Sequence, residues 1–307
     1  MNDEAQTART ARTAAAHPRA ERPAQPRRER LDTLLVARGL VPSRERARAL
    51  IMAGEARVGG QPVTKAGTLV ASDAEIALAP SAGETRYASR GGLKLERALD
   101  AFHLDPSGNI CVDVGASTGG FTDLLLRRGA AHVYAVDVGH GQLAWALRND
   151  PRVTTLERTN IRHLEALPEP VDCAVIDVSF ISLRLVLPRV AALLKPGGWA
   201  VALVKPQFEA GRAEANRGAG VIREPAVHQR VLRDLVAWLA DSPANAPNAH
   251  SERLIASGLV ASPITGRDGN HEYLLLLRLA AEQEDATVTV DEQAVEAAIQ
   301  EAFAEKA

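Results

Sequence analysis

The spacing of apolar residues divides the chain into a small front unit and a larger unit of different character. In the front unit, leucines recur at helical spacing from Leu31 and stop at Gly39, and a second helical pattern follows Ser43, a favourable N-cap residue. Two short strand-like runs flank the turn Gly59-Gly60, which predicts a hairpin, and one more strand follows it. The pattern therefore predicts two helices and a small sheet over residues 30–80.

Over residues 91–280, the larger unit, apolar runs of strand length alternate with segments of helix length. This alternation is typical of a parallel sheet that is covered by helices on both faces. The predicted strands are Ile110–Val114, Val133–Val138, Ala174–Ile176, Ala200–Val204 and Tyr273–Leu279. In such sheets ligands bind beyond the carboxyl ends of the strands, so the residues at those ends are the first candidates for function.

The remaining segments differ from both units in composition. Residues 1–29 are rich in Ala, Arg and Pro and contain few large apolar side chains, so we expect a disordered tail. Residues 81–90 are expected to form a linker. Residues 281–307 are acidic, and we expect either one amphipathic helix or a loose tail.

Composition and charge narrow the class of protein. The 307 residues are 46% hydrophobic and 24% charged, which is ordinary for a soluble globular protein. No apolar run reaches the ~18 residues of a membrane span, and no secretory signal pattern begins the chain. The two cysteines, Cys111 and Cys173, are too few for a disulfide framework or a metal site. We therefore expect a cytoplasmic protein without membrane association and without a bound metal.

The charge is unevenly distributed along the chain. The formal net charge is −2, yet basic residues outnumber acidic ones over residues 1–98 and acidic residues are in excess afterwards. A basic front half is consistent with a surface that binds a polyanion, because attraction to phosphate is local. A solvated arginine-rich tail is the alternative explanation.

The front unit carries basic residues in a pattern that is similar to that of a known RNA-binding domain. The motifs Arg30-Leu31-Asp32, Ser43-Arg44-x-x-Ala47, Ile51-x-x-Gly54 and Val58-x-Gly60 with Lys65 resemble the S4 domain. The resemblance implies that the second helix and the hairpin lie on structured RNA and recognise phosphates and shape. The residues implied in RNA binding are Arg30, Arg44, Arg48, Arg57, Lys65 and Arg90.

A glycine-rich turn follows the first predicted strand of the larger unit. The segment Asp113–Phe121 leads from a strand into a helix, and its glycines permit a sharp turn and close approach of the backbone to a ligand. Its glycine spacing differs from that of dinucleotide sites, and it lacks the Gly-Lys-Ser/Thr of a P-loop. It resembles the S-adenosylmethionine loop of class I methyltransferases, which implies that the loop backbone holds the methionine and ribose parts of that cofactor.

The same resemblance implies further cofactor contacts. Asp137 ends the next predicted strand, about 20 residues downstream, where a nucleotide-binding unit carries an acidic residue for the ribose hydroxyls. Asn160 lies where the family contacts adenine. A helix N-cap for Asp137 and a turn for Asn160 are the alternatives. The implied cofactor residues are Asp113, Gly115, Ser117, Thr118, Gly119, Gly120, Phe121, Asp137, Asn160 and Asp177.

Four charged residues at the ends of predicted elements form the candidate catalytic set. Lys94 begins a helix, Asp177 and Lys205 end strands, and Glu272 opens a strand. Buried charges are costly unless they are paired, so a capping role or a surface ion pair is the alternative for each residue alone. Together they resemble the Lys-Asp-Lys-Glu tetrad of FtsJ-type ribose 2′-O-methyltransferases. With the front unit, they resemble the TlyA family of rRNA (cytidine-2′-O)-methyltransferases, historically labelled hemolysins.

This resemblance implies an α/β fold: a Rossmann-like class I S-adenosylmethionine-dependent methyltransferase domain preceded by a small α+β S4 domain. It implies ribosomal RNA or ribosomal subunits as partners. Lys205 would accept or steer the proton of the 2′-hydroxyl, Lys94 would stabilise negative charge on that oxygen, and the two carboxylates would hold the ammonium groups. A non-catalytic S4 protein with a degenerate methyltransferase fold and, less favoured, a hemolysin are the alternatives. The sequence leaves the oligomeric state and the modified nucleotide open.

Overall fold

In a computed structural model of the chain, the front unit and the larger unit lie in contact with each other. The structure describes residues 27–41, 43–52, 54–78, 86–211, 214, 220–241, 253–266, 269–280 and 290–304. Most of the predicted N-terminal tail (residues 1–26), the linker residues 81–85 and the acidic residues 281–289 and 305–307 lie outside the described residues.

The front unit combines two helices with two small sheets. Its elements are β1 (Arg28–Arg30), α1 (Leu31–Ala37), α2 (Arg44–Met52), β2 (Ala56–Val58), β3 (Gln61–Pro62), β4 (Leu69–Ala71) and β5 (Ile76–Leu78). β2 pairs antiparallel with β3 and β5, and β1 pairs antiparallel with β4. The two helices bury Leu31, Leu35, Ala47 and Ile51 completely, so the predicted apolar spacing forms the core of this unit.

The larger unit contains a seven-stranded sheet. Its elements are α3 (Gly91–Ala101), β6 (Ile110–Val114), α4 (Gly120–Arg127), β7 (His132–Val136), α5 (Trp145–Arg148), β8 (Val153–Leu156), β9 (Val171–Ile176), α6 (Leu187–Leu193), β10 (Leu194–Val204), α7 (Pro206–Glu209), α8 (Pro225–Asp241), β11 (Leu254–Ala261), β12 (Tyr273–Leu279) and α9 (Glu292–Phe303). Two short 3-10 helices are Ile161–His163 and Leu183–Leu185. The strand order is β11-β12-β10-β9-β6-β7-β8. The strands from β10 to β8 are parallel, and β12 is antiparallel to both of its neighbours.

Alternate residues of the central strands enter two separate cores, one on each face of the sheet. Val112 and Val114 of β6 pack with residues of α6, α8 and α9. Cys111 of the same strand packs with residues of α3 and α4. The prediction of a mostly parallel sheet covered on both faces is thus confirmed.

Several strands differ from the sequence prediction. The apolar pattern does not predict β8, where two threonines interrupt an edge strand, or β11, where the pairing with β12 shifts register between Ala256 and Gly258. It does not predict β1 or β4 either, and β1 includes Arg28 and Glu29, which the pattern assigns to the N-terminal tail. Strand β7 ends at Val136, two residues before the predicted end.

The C-terminal helix completes the core on one face of the sheet. Asp291 begins α9 as an N-cap, because its Oδ1 accepts the backbone N–H of Ala294 at 2.9 Å. The side chains of Val295, Ala298 and Ile299 are buried in the core that α8 and β11 also form. Among the described residues, the structure contains no helix with the length and apolar character of a membrane span.

Candidate active site

A cavity of about 440 Å³ lies at the edge of the sheet where the parallel strands end. Residues that follow β6, β9 and β10 line it, and so does Lys94 of α3. Glu272 reaches the same edge because β12 is antiparallel, so that its first residues lie beside the last residues of β10. The front unit contributes Met52 and Glu55 to the wall. The cavity therefore occupies the ligand-binding position of open α/β sheets, with the front unit against it.

The loop after β6 needs glycine where the backbone approaches neighbouring elements. Gly115 has φ +87°, and a Cβ atom there would lie 2.5 Å from the carbonyl oxygen of Asp177. Its N–H donates to the carbonyl of Val136 at 2.8 Å, which ties the loop to the end of β7. Gly119 has φ +93°, and a Cβ atom there would overlap the side chain of Leu147. The glycine spacing thus follows from contacts with the strands and helix on either side.

Asp113 lies beneath this loop and is fully buried. Its Oδ2 accepts hydrogen bonds from the N–H of Thr122 (2.9 Å) and from Thr122 Oγ1 (2.7 Å), while Oδ1 has no hydrogen-bond partner among the described residues. Burial raises the pKa of Asp113 to about 7, with Asp177 adding to the shift and the hydrogen bonds from Thr122 opposing it. Asp113 therefore joins β6 to α4 and is one of the residues that line the cavity.

Asp137 connects two loops through its carboxylate. Its Oδ2 accepts the N–H of Ser117 at 2.8 Å, and its Oδ1 accepts the N–H of Gly139 at 2.6 Å. It lines a smaller pocket beside the main cavity, together with Ser117. The side chain of Asn160 accepts the N–H of Arg162 at 3.1 Å and caps a 3-10 helix. Neither Asn160 nor Gly119 lines the main cavity, whereas the loop residues Ser117, Thr118, Gly120 and Phe121 do.

The four candidate catalytic residues form two ion pairs that line the same cavity. Lys94 Nζ donates to Glu272 Oε2. Lys205 Nζ lies 2.6 Å from Asp177 Oδ1 and donates to Ser179 Oγ at 2.8 Å. The side chains of Lys94 and Lys205 are 11% and 9% exposed, so both ammonium groups are largely removed from bulk water. Residues that are distant in sequence are thus gathered at one site.

Electrostatic interactions favour the charged forms of Lys94 and Asp177. Burial would lower the pKa of Lys94, but the carboxylates of Glu272 and Asp177 outweigh it and the pKa is raised. Burial would raise the pKa of Asp177, but Lys205 and Lys94 outweigh it and the pKa is lowered. At neutral pH Lys94 is therefore an ammonium group and Asp177 a carboxylate. Such a lysine supplies a fixed positive charge rather than a base.

Sequence reasoning missed several residues at this site. Ser179 contacts Lys205, and the ring of Phe208 lies 5.9 Å from Lys205 Nζ. Phe180 is 85% exposed, has φ +64°, and its ring centroid is 4.9 Å from that of Phe208. Nearness in sequence to Asp177 and Lys205 was an available signal for all three. No local signal marks Glu55, because it reaches the cavity only when the front unit packs on the larger one.

Three of the predicted RNA-binding arginines surround one buried carboxylate. Arg30 donates to both oxygens of Asp32, at 3.0 and 2.9 Å, and Arg44 and Arg48 donate to Oδ2 at 3.2 and 3.4 Å. The side chain of Asp32 is 0% exposed, while the three arginines are 44–55% exposed. The hydrogen bond from Arg30 is the main cause that holds the pKa of Asp32 far below its usual range. Asp32 thus fixes three guanidinium groups on one surface.

The other predicted RNA-binding residues lie apart from that cluster. Arg57 and Lys65 are exposed on the front unit, and Arg57 donates to the carbonyl of Gly60 at 3.2 Å. Arg90 is located at the junction of the two units, where its Nε donates to Glu55 Oε1 at 2.7 Å. Glu55 is 2% exposed, and its Oε2 has no hydrogen-bond partner among the described residues. The structure thus separates Arg90 from the arginine surface and places it at the cavity wall.

Two further polar contacts join the units. Arg46 Nη1 donates to the carbonyl of Ala88 at 3.1 Å, and the backbone N–H of Trp145 donates to Glu45 Oε1 at 2.6 Å. Helix α2 therefore contacts the residues before α3 and the first residue of α5. Within the described part of the chain, no group of three or more His, Cys, Asp or Glu side chains is arranged to hold a metal ion.

Comparison with known proteins gives concordant matches for both units. Residues 87–279 match the FtsJ-like methyltransferase family, and residues 29–76 match the S4 domain. The chain is 47% identical over 254 residues to the 16S/23S rRNA (cytidine-2′-O)-methyltransferase TlyA of Mycobacterium tuberculosis, covering 82% of this chain and 90% of that protein. It is 37% identical to Hemolysin A of Brachyspira hyodysenteriae, covering 80% and 98%. The solved structure of a candidate hemolysin from Streptococcus thermophilus superposes with a TM-score of 0.65 at 42% identity, covering 91% and 98%.

Proposed function

The chain belongs to the FtsJ-like methyltransferase family and carries an S4 domain, and from this premise we propose that it methylates a ribose 2′-hydroxyl of ribosomal RNA, at cytidine, with S-adenosylmethionine as donor. The observation that carries the proposal is the convergence of the pairs Lys94–Glu272 and Lys205–Asp177 on one cavity beside the glycine loop. The name of the 47% identical relative supports cytidine in rRNA as the substrate. A degenerate fold would be expected to lose part of this set, yet all four side chains are present and paired.

The residues around the cavity fit S-adenosylmethionine. Gly115 lets the loop pack closely on the backbone of Asp177 at the cavity wall, and the carboxyl group of Asp113, one oxygen of which has no hydrogen-bond partner among the described residues, suits a positively charged amino group. The loop Gly115–Gly120 and Asp113 would hold the methionine part. Asp137 would hold the ribose, because a carboxylate that accepts two backbone hydrogen bonds keeps further acceptor capacity. When bound, the cofactor supplies an electrophilic methyl group on a sulfonium.

Lys94 and Lys205 act on the 2′-hydroxyl in different ways. This hydroxyl is a weak nucleophile and must lose its proton as its oxygen attacks. Lys94, kept protonated by Glu272 and Asp177, stabilises the negative charge that develops on that oxygen. Lys205, held by Asp177 and Ser179, orients the hydroxyl and steers its proton to water in the cavity. Positioning dominates the role of Lys205, because its Nζ is held between Asp177 and Ser179 in the wall of the cavity.

The S4 domain binds the RNA. The surface around Asp32 presents three half-exposed guanidinium groups whose positions are fixed in advance, which suits binding to phosphates. Phosphate contacts position an RNA without reading its bases. The domain therefore delivers a folded rRNA region, while the cavity selects the ribose that reacts.

The test is methyl transfer to purified rRNA. We expect purified protein to transfer labelled methyl groups from S-adenosylmethionine to rRNA, and nuclease digestion with mass spectrometry to yield 2′-O-methylcytidine. Lys205→Ala should lower the rate by at least about 100-fold and leave cofactor affinity within a few-fold, because Lys205 acts on the nucleophile. Lys195→Ala is the matched control, since Lys195 lies on β10, the strand that Lys205 follows, and pairs with Asp172 at 2.6 Å.

The outcomes separate the parts of the proposal. Methyl groups found on a base rather than on a ribose would exclude 2′-O-methylation. Unchanged turnover in Lys205→Ala would remove that lysine from the mechanism. Absence of cofactor binding by calorimetry would exclude methyltransferase activity for this chain.

A further inference from the structure

A second cavity of about 570 Å³ lies between α2 of the S4 domain and α5 of the methyltransferase domain. We call it the interdomain groove. Its wall contains Trp145 and three arginines, Arg46, Arg48 and Arg148. It is contiguous with the active-site cavity, because both are lined by Met52, Thr118 and Gln142.

Trp145 is the unusual residue of the groove. Its side chain is 66% exposed, whereas Trp199 is 8% exposed and Trp238 is half-buried against the core. Its backbone is held at both polar atoms: the N–H donates to Glu45 Oε1 at 2.6 Å, and the carbonyl accepts from Asn149 Nδ2 at 2.7 Å. A single exposed apolar side chain needs no explanation by itself. Here the backbone that carries the large ring is bonded to the neighbouring domain, and the residue lines a groove with three arginines.

The charge of the groove defines its ligand. Arg48 and Arg148 are 55% and 37% exposed, and they line the groove from the two domains, each paired with a carboxylate of its own domain, Asp32 and Glu157. The acidic residue of the wall is Glu45, one oxygen of which is engaged by the N–H of Trp145. An aromatic ring between guanidinium groups stacks on a base while the arginines contact the phosphates on either side. Double-stranded RNA has no unstacked base to offer, so the complementary ligand is a single strand.

We propose that the interdomain groove binds a single-stranded stretch of RNA next to the reacting nucleotide, with Trp145 stacked on one of its bases. The proposal rests on the proposed function and extends it to a path for the substrate. Arg48 belongs both to the arginine surface around Asp32 and to the groove, and the groove adjoins the active-site cavity, with which it shares three lining residues. One strand can therefore pass from the S4 surface along Trp145 to the paired lysines.

The experiment compares Trp145→Ala and Trp145→Phe in the full chain, with Leu185→Ala as a matched control. Leu185 is another exposed apolar residue, 55% exposed, and lies outside the groove. The probes are a 12-nucleotide cytidine RNA and total rRNA. Removing one base stack should weaken RNA binding by roughly tenfold, Trp145→Phe should recover most of the affinity, and Leu185→Ala should bind like the wild type. RNA should quench the tryptophan fluorescence of the wild type more than that of Trp145→Phe.

Cofactor affinity provides the check on folding, and we expect all three variants to bind S-adenosylmethionine as the wild type does. Affinity of Trp145→Ala for both RNAs within twofold of the wild type would overturn the groove proposal. Saturable quenching by free cytidine monophosphate, with no tighter binding of the 12-nucleotide RNA, would also overturn it in favour of a mononucleotide site. Failure of the wild type to methylate rRNA is a separate result, because it removes the proposed function and leaves the binding comparison measurable.

Discussion

Replacing Asp113 by asparagine should change how the stability of the protein depends on pH. In the folded protein this carboxyl group is fully buried and its pKa is about 7, whereas its ordinary value is 3.8. Between these values the folded state holds a proton that the unfolded state has released. The free energy of unfolding therefore falls as the pH rises through this window, and above the window Asp113 causes no further change with pH.

The magnitude follows from the two pKa values. Each unit of pH within the window contributes about 1.4 kcal/mol, so the whole interval from 3.8 to about 7 corresponds to roughly 4 kcal/mol. From pH 5 to pH 7 the titration of Asp113 lowers the free energy of unfolding of the wild type by about 2.5 kcal/mol. Asparagine keeps an acceptor oxygen for the N–H and hydroxyl of Thr122 but carries no titrating proton. If the new amide group leaves an N–H without a partner, it changes the stability of the variant by the same amount at each pH.

The assay is urea unfolding of the wild type and Asp113→Asn at several pH values between 5 and 8. Fluorescence of Trp199, which is 8% exposed in a core of the larger unit, follows the methyltransferase domain. The stability of the variant relative to the wild type should increase by about 2.5 kcal/mol from pH 5 to pH 7 and then level off. Asp100→Asn, at a side chain that is 57% exposed, is the control and should show no such trend. A constant difference between Asp113→Asn and the wild type over this range would refute the reasoning.

Two more variants test the role of charged residues, one in RNA binding and the other in the active site. The double substitution Arg44→Glu, Arg48→Glu should weaken rRNA binding by at least tenfold and reduce its dependence on salt, because two attractive contacts with phosphate become repulsive. The affinity for S-adenosylmethionine, measured by calorimetry, should stay the same. Glu272→Gln removes the carboxylate that contributes most to raising the pKa of Lys94. The effect of burial is then less opposed, so the pKa of Lys94 falls relative to the wild type. The rate of methyl transfer should then decline with rising pH at values where the wild-type rate is flat, and identical pH–rate profiles would contradict the assigned role of Glu272.

In the larger unit, some residues of the candidate site could be predicted from local sequence patterns and others could not. The loop Asp113–Phe121, Asp177 and Lys205 each follow a buried apolar strand, and strand periodicity with the α/β rule places them at one edge. The contact between Lys94 and Glu272 is different, because it links residues 178 positions apart. It depends on the antiparallel insertion of β12 beside β10, which no local pattern specifies. The resemblance to a known tetrad, rather than periodicity, brought those two residues together.

The front unit gives a second example. Helical spacing correctly places Arg44 and Arg48 on one face, yet nothing in that spacing identifies Asp32 as the residue that holds them. An aspartate in the first turn of a helix is ordinarily explained by the helix dipole. Burial of Asp32 among arginines arises only when α1 and α2 pack together. Likewise, the basic character of Arg90 suggests RNA contact, whereas its pairing with Glu55 becomes visible only after the two units meet.

The contact between the units has a consequence for how binding and chemistry are connected. Helix α2 carries Arg44 of the arginine surface around Asp32, places Met52 in the wall of the active-site cavity, and holds the first residue of α5 through Glu45. The same helix therefore takes part in the arginine surface, the cavity and the contact with α5. A methyltransferase domain without the front unit would keep the glycine loop and both ion pairs but would lose that wall. The S4 domain thus forms part of the cavity wall rather than being joined to the methyltransferase domain only by a linker.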